Sequence, residues 1–234
     1  MNHVKIRRMA LAVASISLGT LTTLVMIGSS VVGEFTEVSA EEFLNSRKIQ
    51  SQEIEQPISC TSLAVERLLS YDGKFIEDGS EREVQDVAAI MLHNSKDAVI
   101  PYAYITVYTQ NCKYTFSAYM IPPKASVLVP EETAQKLTES HVVRTFGWTT
   151  VKEEGRRVRL DIEEVGMGCF RVTNMTGSKV HDLTVYHRTY IPDESFYMGG
   201  KAFQTHIPYI APGNTVLVYP ENYVSGYSKI IYYE

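Results

Sequence analysis

The sequence predicts an all-β fold: two tandem antiparallel β-sandwich domains behind an N-terminal transmembrane helix or signal sequence. Three observations carry this. First, Ile121-Pro-Pro-Lys-Ala-Ser-Val-Leu-Val-Pro-Glu131 returns as Ile210-Ala-Pro-Gly-Asn-Thr-Val-Leu-Val-Tyr-Pro-Glu221. In each, a Pro or Gly turn feeds a β-branched strand that a proline then stops, since proline fixes φ and cannot donate to a ladder. Second, Ile90-Met-Leu92-His-Asn94 lies 80 positions before Phe170-Arg-Val172-Thr-Asn174, while the Val-Leu-Val strands lie 89 apart. The second copy therefore holds nine extra residues, placed in the stretch Arg188–Gln204. Third, short alternating strands follow one another with turn residues between them and no strand–helix alternation.

The N-terminus is read first. Lys5, Arg7 and Arg8 precede 24 uncharged residues, Met9–Val32, and Glu34, Glu37, Glu41 and Glu42 follow. A basic flank and a run this long predict residues 1–40 to be a signal sequence or membrane anchor, with the body outside the cytoplasm. Val38-Ser-Ala40 fits cleavage after Ala40, and the run is also long enough to span. The chain is then single-pass and N-in, or secreted.

Residues 41–60 are polar and read as a tether. The first sandwich is expected over 61–151. Thr61–Ser70 does not separate strand from helix. Turns are expected at Tyr71-Asp-Gly-Lys74 and Glu77-Asp-Gly-Ser80. Val84–His93 is the first clear strand, and it enters the loop Asn94-Ser-Lys-Asp97, where Asn94 accepts αL geometry or an Asx turn. Val99–Thr109 alternates: Ala103, Ile105 and Val107 share one face, and Tyr102, Tyr104 and Tyr108 the other. Tyr114–Ile121 completes a hairpin. Glu131–Ser140 has helical composition and is expected as a short crossing helix. Val142–Val151 holds Trp148, the sole tryptophan.

Lys152-Glu-Glu-Gly-Arg156 marks the boundary, and the second sandwich is expected over 157–234. Its strands are Arg157–Glu164, Cys169–Thr173, Val180–Tyr190, Phe203–Ile210, Thr215–Tyr219 and Ser228–Tyr233. The pattern over Val84–Glu234, with its Pro212-Gly213 turn and Gly226-Tyr-Ser-Lys229 stretch, resembles tandem immunoglobulin-like or fibronectin III-like modules of secreted or membrane-anchored Gram-positive proteins. That resemblance implies an architecture and an extracellular setting. It carries no active residues.

Charge and motifs narrow the function. The N-terminal 32 residues hold three of the 22 basic residues and no acid, which leaves 19 against 27 acidic ones in the body. An acidic body without a basic cluster argues against nucleic acid as partner. Cys60, Cys112 and Cys169 form no C-x-x-C. No G-x-S-x-G, H-E-x-x-H or phosphate loop occurs, so no catalytic residue, cofactor or metal set is assigned. His181, His187, His206, Met167, Met175, Met198 and Cys169 in the second copy leave a copper-type metal-binding protein as the alternative.

Tyrosine is the informative residue. Fifteen occur, nine of them between Tyr186 and Tyr233. Rigid amphipathic rings on an outer sheet face suit recognition. If Leu183, Val185 and His187 face the core, Tyr186, Arg188 and Tyr190 face outward. With Phe196, Tyr197 and Lys201 they form the expected docking surface, and Met198-Gly-Gly200 makes the hairpin adaptable. The predicted function is an extracytoplasmic binding or scaffold protein of the bacterial envelope. Its partner is an envelope protein or glycan, and residues 193–201 are dispensable for folding.

Overall fold

The computed structural model describes residues 25–27, 48–60, 63–77, 80, 82–150 and 158–234, with backbone pairing alone for 25–27 and 48–60. Every regular element among them is a strand. In chain order these are β1 (Val25–Ile27), β2 (Lys48–Cys60), β3 (Leu63–Phe75), β4 (Arg82–Asn94), β5 (Ile100–Tyr108), β6 (Lys113–Ile121) and β7 (Ala125–Pro130). Then follow β8 (Arg144–Thr149), β9 (Leu160–Gly166), β10 (Cys169–Asn174), β11 (Val180–Ile191), β12 (Phe196–Ile210), β13 (Thr215–Val218) and β14 (Ser228–Tyr233).

They make three sheets, ordered β1-β13-β10-β9, β14-β11-β12-β7-β4-β3-β2 and β6-β5-β8. The sequence repeat is a repeat of topology. In the first half β7-β4-β3 lies opposite β6-β5-β8; in the second, β13-β10-β9 lies opposite β12-β11-β14. Each pair of faces encloses an apolar cluster. The first holds Leu68, Ile90, Leu92, Ile105, Tyr114, Phe116 and Val127. The second holds Phe170, Val172, Leu183, Val185, Ile207 and Val216. The strands form because their apolar residues alternate toward these clusters, and burying each such side chain contributes roughly 1.5–3 kcal/mol.

One asparagine closes each half in the same way. Asn94 and Asn174 are fully buried. Asn94 Nδ2 donates to the carbonyls of Ala98 at 2.9 Å, Ile121 at 3.3 Å and Pro122 at 2.9 Å. Asn174 Nδ2 donates to Ser178 at 2.8 Å and Ile210 at 3.0 Å. Their Oδ1 atoms accept the amides of Lys96 and Thr176, so Asn94 forms an Asx turn and Asn174 repeats it in the second copy.

The halves share a sheet. β12 pairs in parallel with β7, Tyr197 with Val127 and Met198 with Leu128. The nine extra residues of the second copy lengthen the β11–β12 hairpin, and its tip lies across the first half. Ile191, Phe196 and Met198 join Leu69, Tyr71, Phe75, Val87 and Leu128 in a third cluster on the opposite face of β3, β4 and β7. β4 is buried on both faces, as the unbroken run Val87–Ile90 requires.

Three expectations are corrected. Glu131–Ser140 is not a helix. Glu131 is buried, and its Oε2 accepts the amides of Thr133 at 2.8 Å and Gln135 at 2.9 Å. Ala134 takes φ 61°, outside helical geometry. The chain then runs along β4, with Ala88 N donating to Gln135 O and Leu137 N to Asp86 O. The turn at Tyr71–Lys74 is instead a bulge inside β3, where Gly73 takes φ 147° and the register shifts. Lys48–Cys60, polar enough to read as tether, is strand β2 along β3, since ladder hydrogen bonds do not depend on side-chain hydropathy.

Of the anchor reading over 1–40, only Val25–Ile27 lies among the described residues, as a short parallel strand on β13. The rest of 1–40, part of the Glu77–Ser80 turn and the boundary at 152–156 lie outside them. Among the described residues no helix is long and apolar enough to cross a membrane.

Candidate binding face

The outer face of β6-β5-β8 is aromatic. Ala103, Ile105 and Val107 point into the core, so Tyr102, Tyr104 and Tyr108 point out. Antiparallel register sets Tyr119 of β6 beside Tyr102, and Trp148 and Phe146 of β8 beside Tyr104 and Thr106. Phe146-Gly-Trp148 reaches the surface because its two aromatics are spaced by two on a half-buried edge strand.

The rings are in mutual contact. Tyr102 lies 4.8 Å from Tyr119 and 5.0 Å from Trp148, centroid to centroid. Tyr104 stacks on Trp148 at 6.1 Å. The Arg144 guanidinium lies over the Tyr108 ring at 4.9 Å. Trp148 is 48% exposed and Phe146 59%. Polar groups run along the rings. The Tyr102 hydroxyl meets Ser117 Oγ at 3.0 Å, and Ser117 donates to Glu132. Burial, then the neighbouring Tyr102 and Glu132, raises the Tyr119 phenol above its ordinary range, so it stays a hydrogen-bond donor. The face therefore offers flat π surface for stacking and hydroxyl and carboxylate groups for orientation.

The corresponding face of β12-β11-β14 carries the residues that sequence alone placed in a docking surface. Tyr186 packs against Tyr232 at 6.2 Å and donates to Glu234 Oε1 at 2.9 Å. Tyr190 contacts Tyr197 at 5.1 Å, and the Lys229 ammonium sits 3.3 Å above its ring. Lys201 is exposed.

Two members of that set are elsewhere. Phe196 is buried in the cluster under the hairpin tip. Arg188, expected outward, is fully buried. Bulges at Tyr186/His187 and His187/Thr189 break the alternation there, and His187, Arg188 and Thr189 are buried in succession.

Arg188 instead ties the halves together. It donates to the carbonyls of Tyr119 and Gly199, and at 3.5 Å to Gly200. Burial lowers its pKa to about 10, and the Glu77 carboxylate opposes that shift. Glu77 accepts the Gly200 amide at 2.7 Å, and burial raises its pKa. The Met198-Gly-Gly200 glycines serve this contact rather than a hinge. A Cβ on Gly200 would collide with the Ser117 carbonyl, and one on Gly199, at φ 83°, would lie 2.6 Å from Ile76 Cδ1.

The candidate copper ligands are dispersed. His187 lies in the second core between Phe203 and Tyr223, at 5.3 and 5.2 Å. His206 Nε2 lies 3.7 Å from the Asp182 carboxylate, and His181 lies against Tyr209. Met198 is buried, whereas Met167 and Met175 are exposed. Among the described residues no three His, Cys, Asp or Glu side chains are grouped to hold an ion. Cys112 and Cys169 are free thiols, and Cys169 donates to Gly166 O at 3.0 Å.

No protein-family model matches the chain, and no curated protein is similar to it.

Proposed function

We propose that this chain is an extracytoplasmic binding protein of the bacterial envelope, acting by non-covalent docking of a glycan. It is tethered by its N-terminal segment or secreted after cleavage near Ala40, and its two halves act as tandem β-sandwich domains. The observation that carries the docking is the contiguous row Tyr102, Tyr104, Tyr119 and Trp148 on an open sheet face. Sugar rings present C–H faces to aromatic π surface and hydroxyls at their edges, which the phenols, Ser117 and Glu132 are placed to meet.

The test uses the full-length protein in detergent and purified cell-wall polysaccharide. Trp148 is the only tryptophan, so its fluorescence reports on this face alone. Polysaccharide is expected to change the emission and to co-sediment the protein. Trp148→Ala and Tyr104→Ala each weaken binding by about tenfold or more, the scale of an aromatic anchor. Undiminished co-sedimentation of both variants refutes the assignment.

A second reading keeps docking on the second half, through Tyr186, Tyr190, Tyr197 and Lys201. The Lys229–Tyr190 stack favours it, because it holds a charge and a ring at the surface together. Capture lost in Tyr190→Ala but kept in Trp148→Ala supports this reading over the first.

A further inference from the structure

The two halves have the same strand order but are not closed in the same way. In the first half the outer edge of β3 is covered: β2 pairs with it antiparallel, Cys60 with Leu63 and Ile58 with Val65. The equivalent strand in the second half is β9. Leu63 and Val65 pair with Asn94 and Leu92 of β4, as Leu160 and Ile162 pair with Asn174 and Val172 of β10. β9 ends its sheet, and among the described residues no strand covers its outer edge. β14 ends the facing sheet. Between them opens a cleft of about 290 Å³, lined by Ile162, Ile230, Ile231, Tyr232 and Tyr233 with Val99 and Pro123 of the first half.

We propose that this cleft is a strand-acceptor site for an extended segment of another protein, alternately apolar and basic, that adds antiparallel to β9. β2 supplies the template. A segment in its register sets apolar side chains opposite Leu160 and Ile162, toward Ile230. The residues between them stand on the outer face beside Asp161 and Glu163. Backbone ladder bonds then give affinity, and alternate side chains give selectivity.

Charge identifies the occupant. Asp161 and Glu163 are exposed on the outer face of β9. Arg171 pairs with Glu163, and Asp161 has no cation partner among the described residues. Arg159, just before the strand, is exposed, and a lysine opposite Asp161 is two positions away from it. Pairing of β9 with β9 of a second copy, Leu160 opposite Ile162, would set Asp161 against Asp161, which destabilises that cross-strand pair, and leaves only Arg159 opposite Glu163 in its favour. The chain's own residues 48–60 are already paired with β3. An apolar–basic segment meets neither obstacle. It also caps an edge that no strand among the described residues covers.

The test is fluorescence anisotropy on full-length protein with three labelled nonapeptides: alternating Val/Lys, alternating Val/Glu, and Val/Lys with N-methylated valines. The expected result is that only the first binds. Asp161→Lys weakens it by about tenfold and admits Val/Glu, because a rim charge selects its opposite. Ile231→Lys, in the cleft, abolishes binding of Val/Lys. An unchanged cooperative melting transition by far-UV circular dichroism shows that the variants remain folded. Binding of the N-methylated peptide as tightly as its parent overturns strand addition and leaves only nonspecific charge attraction. No binding of Val/Lys, or binding indifferent to Ile231→Lys, overturns the site.

Discussion

His187 sets a pH dependence that can be worked from its surroundings. The side chain is fully buried, and neither ring nitrogen has a hydrogen-bond partner among the described residues. It packs parallel to Phe203 and edge-on to Tyr223. Burial among these rings lowers its pKa from 6.5 to about 4, and the peptide groups of Glu221 and Asn222 oppose the shift without completing a hydrogen bond. A depressed histidine pKa destabilises the fold on the acid side. Above pH 6.5 the ring is neutral in both folded and unfolded chains, and the stability it permits is intact. As pH falls from 6.5 toward 4 the unfolded chain binds a proton that the folded one refuses. The loss over that window is roughly 3 kcal/mol, of which about 2 kcal/mol falls between pH 7 and 5. For a chain of this size that is a melting temperature lower by about 4–8 °C at pH 5 than at pH 7. His187→Leu removes the titration and keeps nearly the same volume, and the first-half counterpart of this position is the apolar Val107. Carboxylates, including Glu77, titrate alike in both proteins, so the difference in stability between them isolates His187. Urea unfolding at pH 7, 6 and 5 measures it. The variant is expected to gain on the wild type by about 2 kcal/mol across that range. A difference that stays constant with pH refutes the buried, unpartnered ring.

Further outcomes follow from the contact between halves and from the asparagine closures. Gly200→Ala places a methyl group against the Ser117 carbonyl, which is backbone and cannot swing aside. It is expected to cost about 1–3 kcal/mol in urea unfolding. Asn174→Ala leaves the carbonyls of Ser178 and Ile210 without their donor and costs about 1–3 kcal/mol; Asn94→Ala does the same in the first half. Deleting 193–201 removes Phe196, Met198 and the glycine carbonyls that Arg188 needs. The chain is then expected to lose its cooperative melting transition by circular dichroism, not merely a surface loop.

The strands of both copies were legible because their apolar positions alternate with period two. The kinship of the two halves was legible because the Asn94 and Asn174 motifs recur, whereas the strand order of either half rests on pairings that the motifs do not name. The site was half legible. Alternation alone put Tyr102, Tyr104 and Tyr108 outward, and Phe146-Gly-Trp148 carries the same period-two signal one strand further on. What joins them is the β5–β8 register, Tyr104 to Trp148, a pairing between segments 44 residues apart. Arg188 misled because alternation assumes a regular strand, and two bulges flank it. The role of the hairpin insert was also hidden. Nothing in Ile191–Lys201 names its neighbour; only the edge of β7 does. The missing helix at Glu131 has a similar origin, since local composition was overridden by a buried carboxylate holding two backbone amides.

The parallel pairing of β12 with β7 has a consequence for how the chain comes into being. Val127 waits for Tyr197, 70 residues further along. A polypeptide emerging from a ribosome or a translocation pore N-terminus first completes β3 to β8 while β7 still shows a bare edge and Phe75, Tyr71 and Leu69 still lack their cover. Contacts this distant in sequence form late and slow the folding rate. The first half is thus most adhesive during its own synthesis, and the hairpin insert acts as an internal chaperone that arrives only when the chain is almost finished.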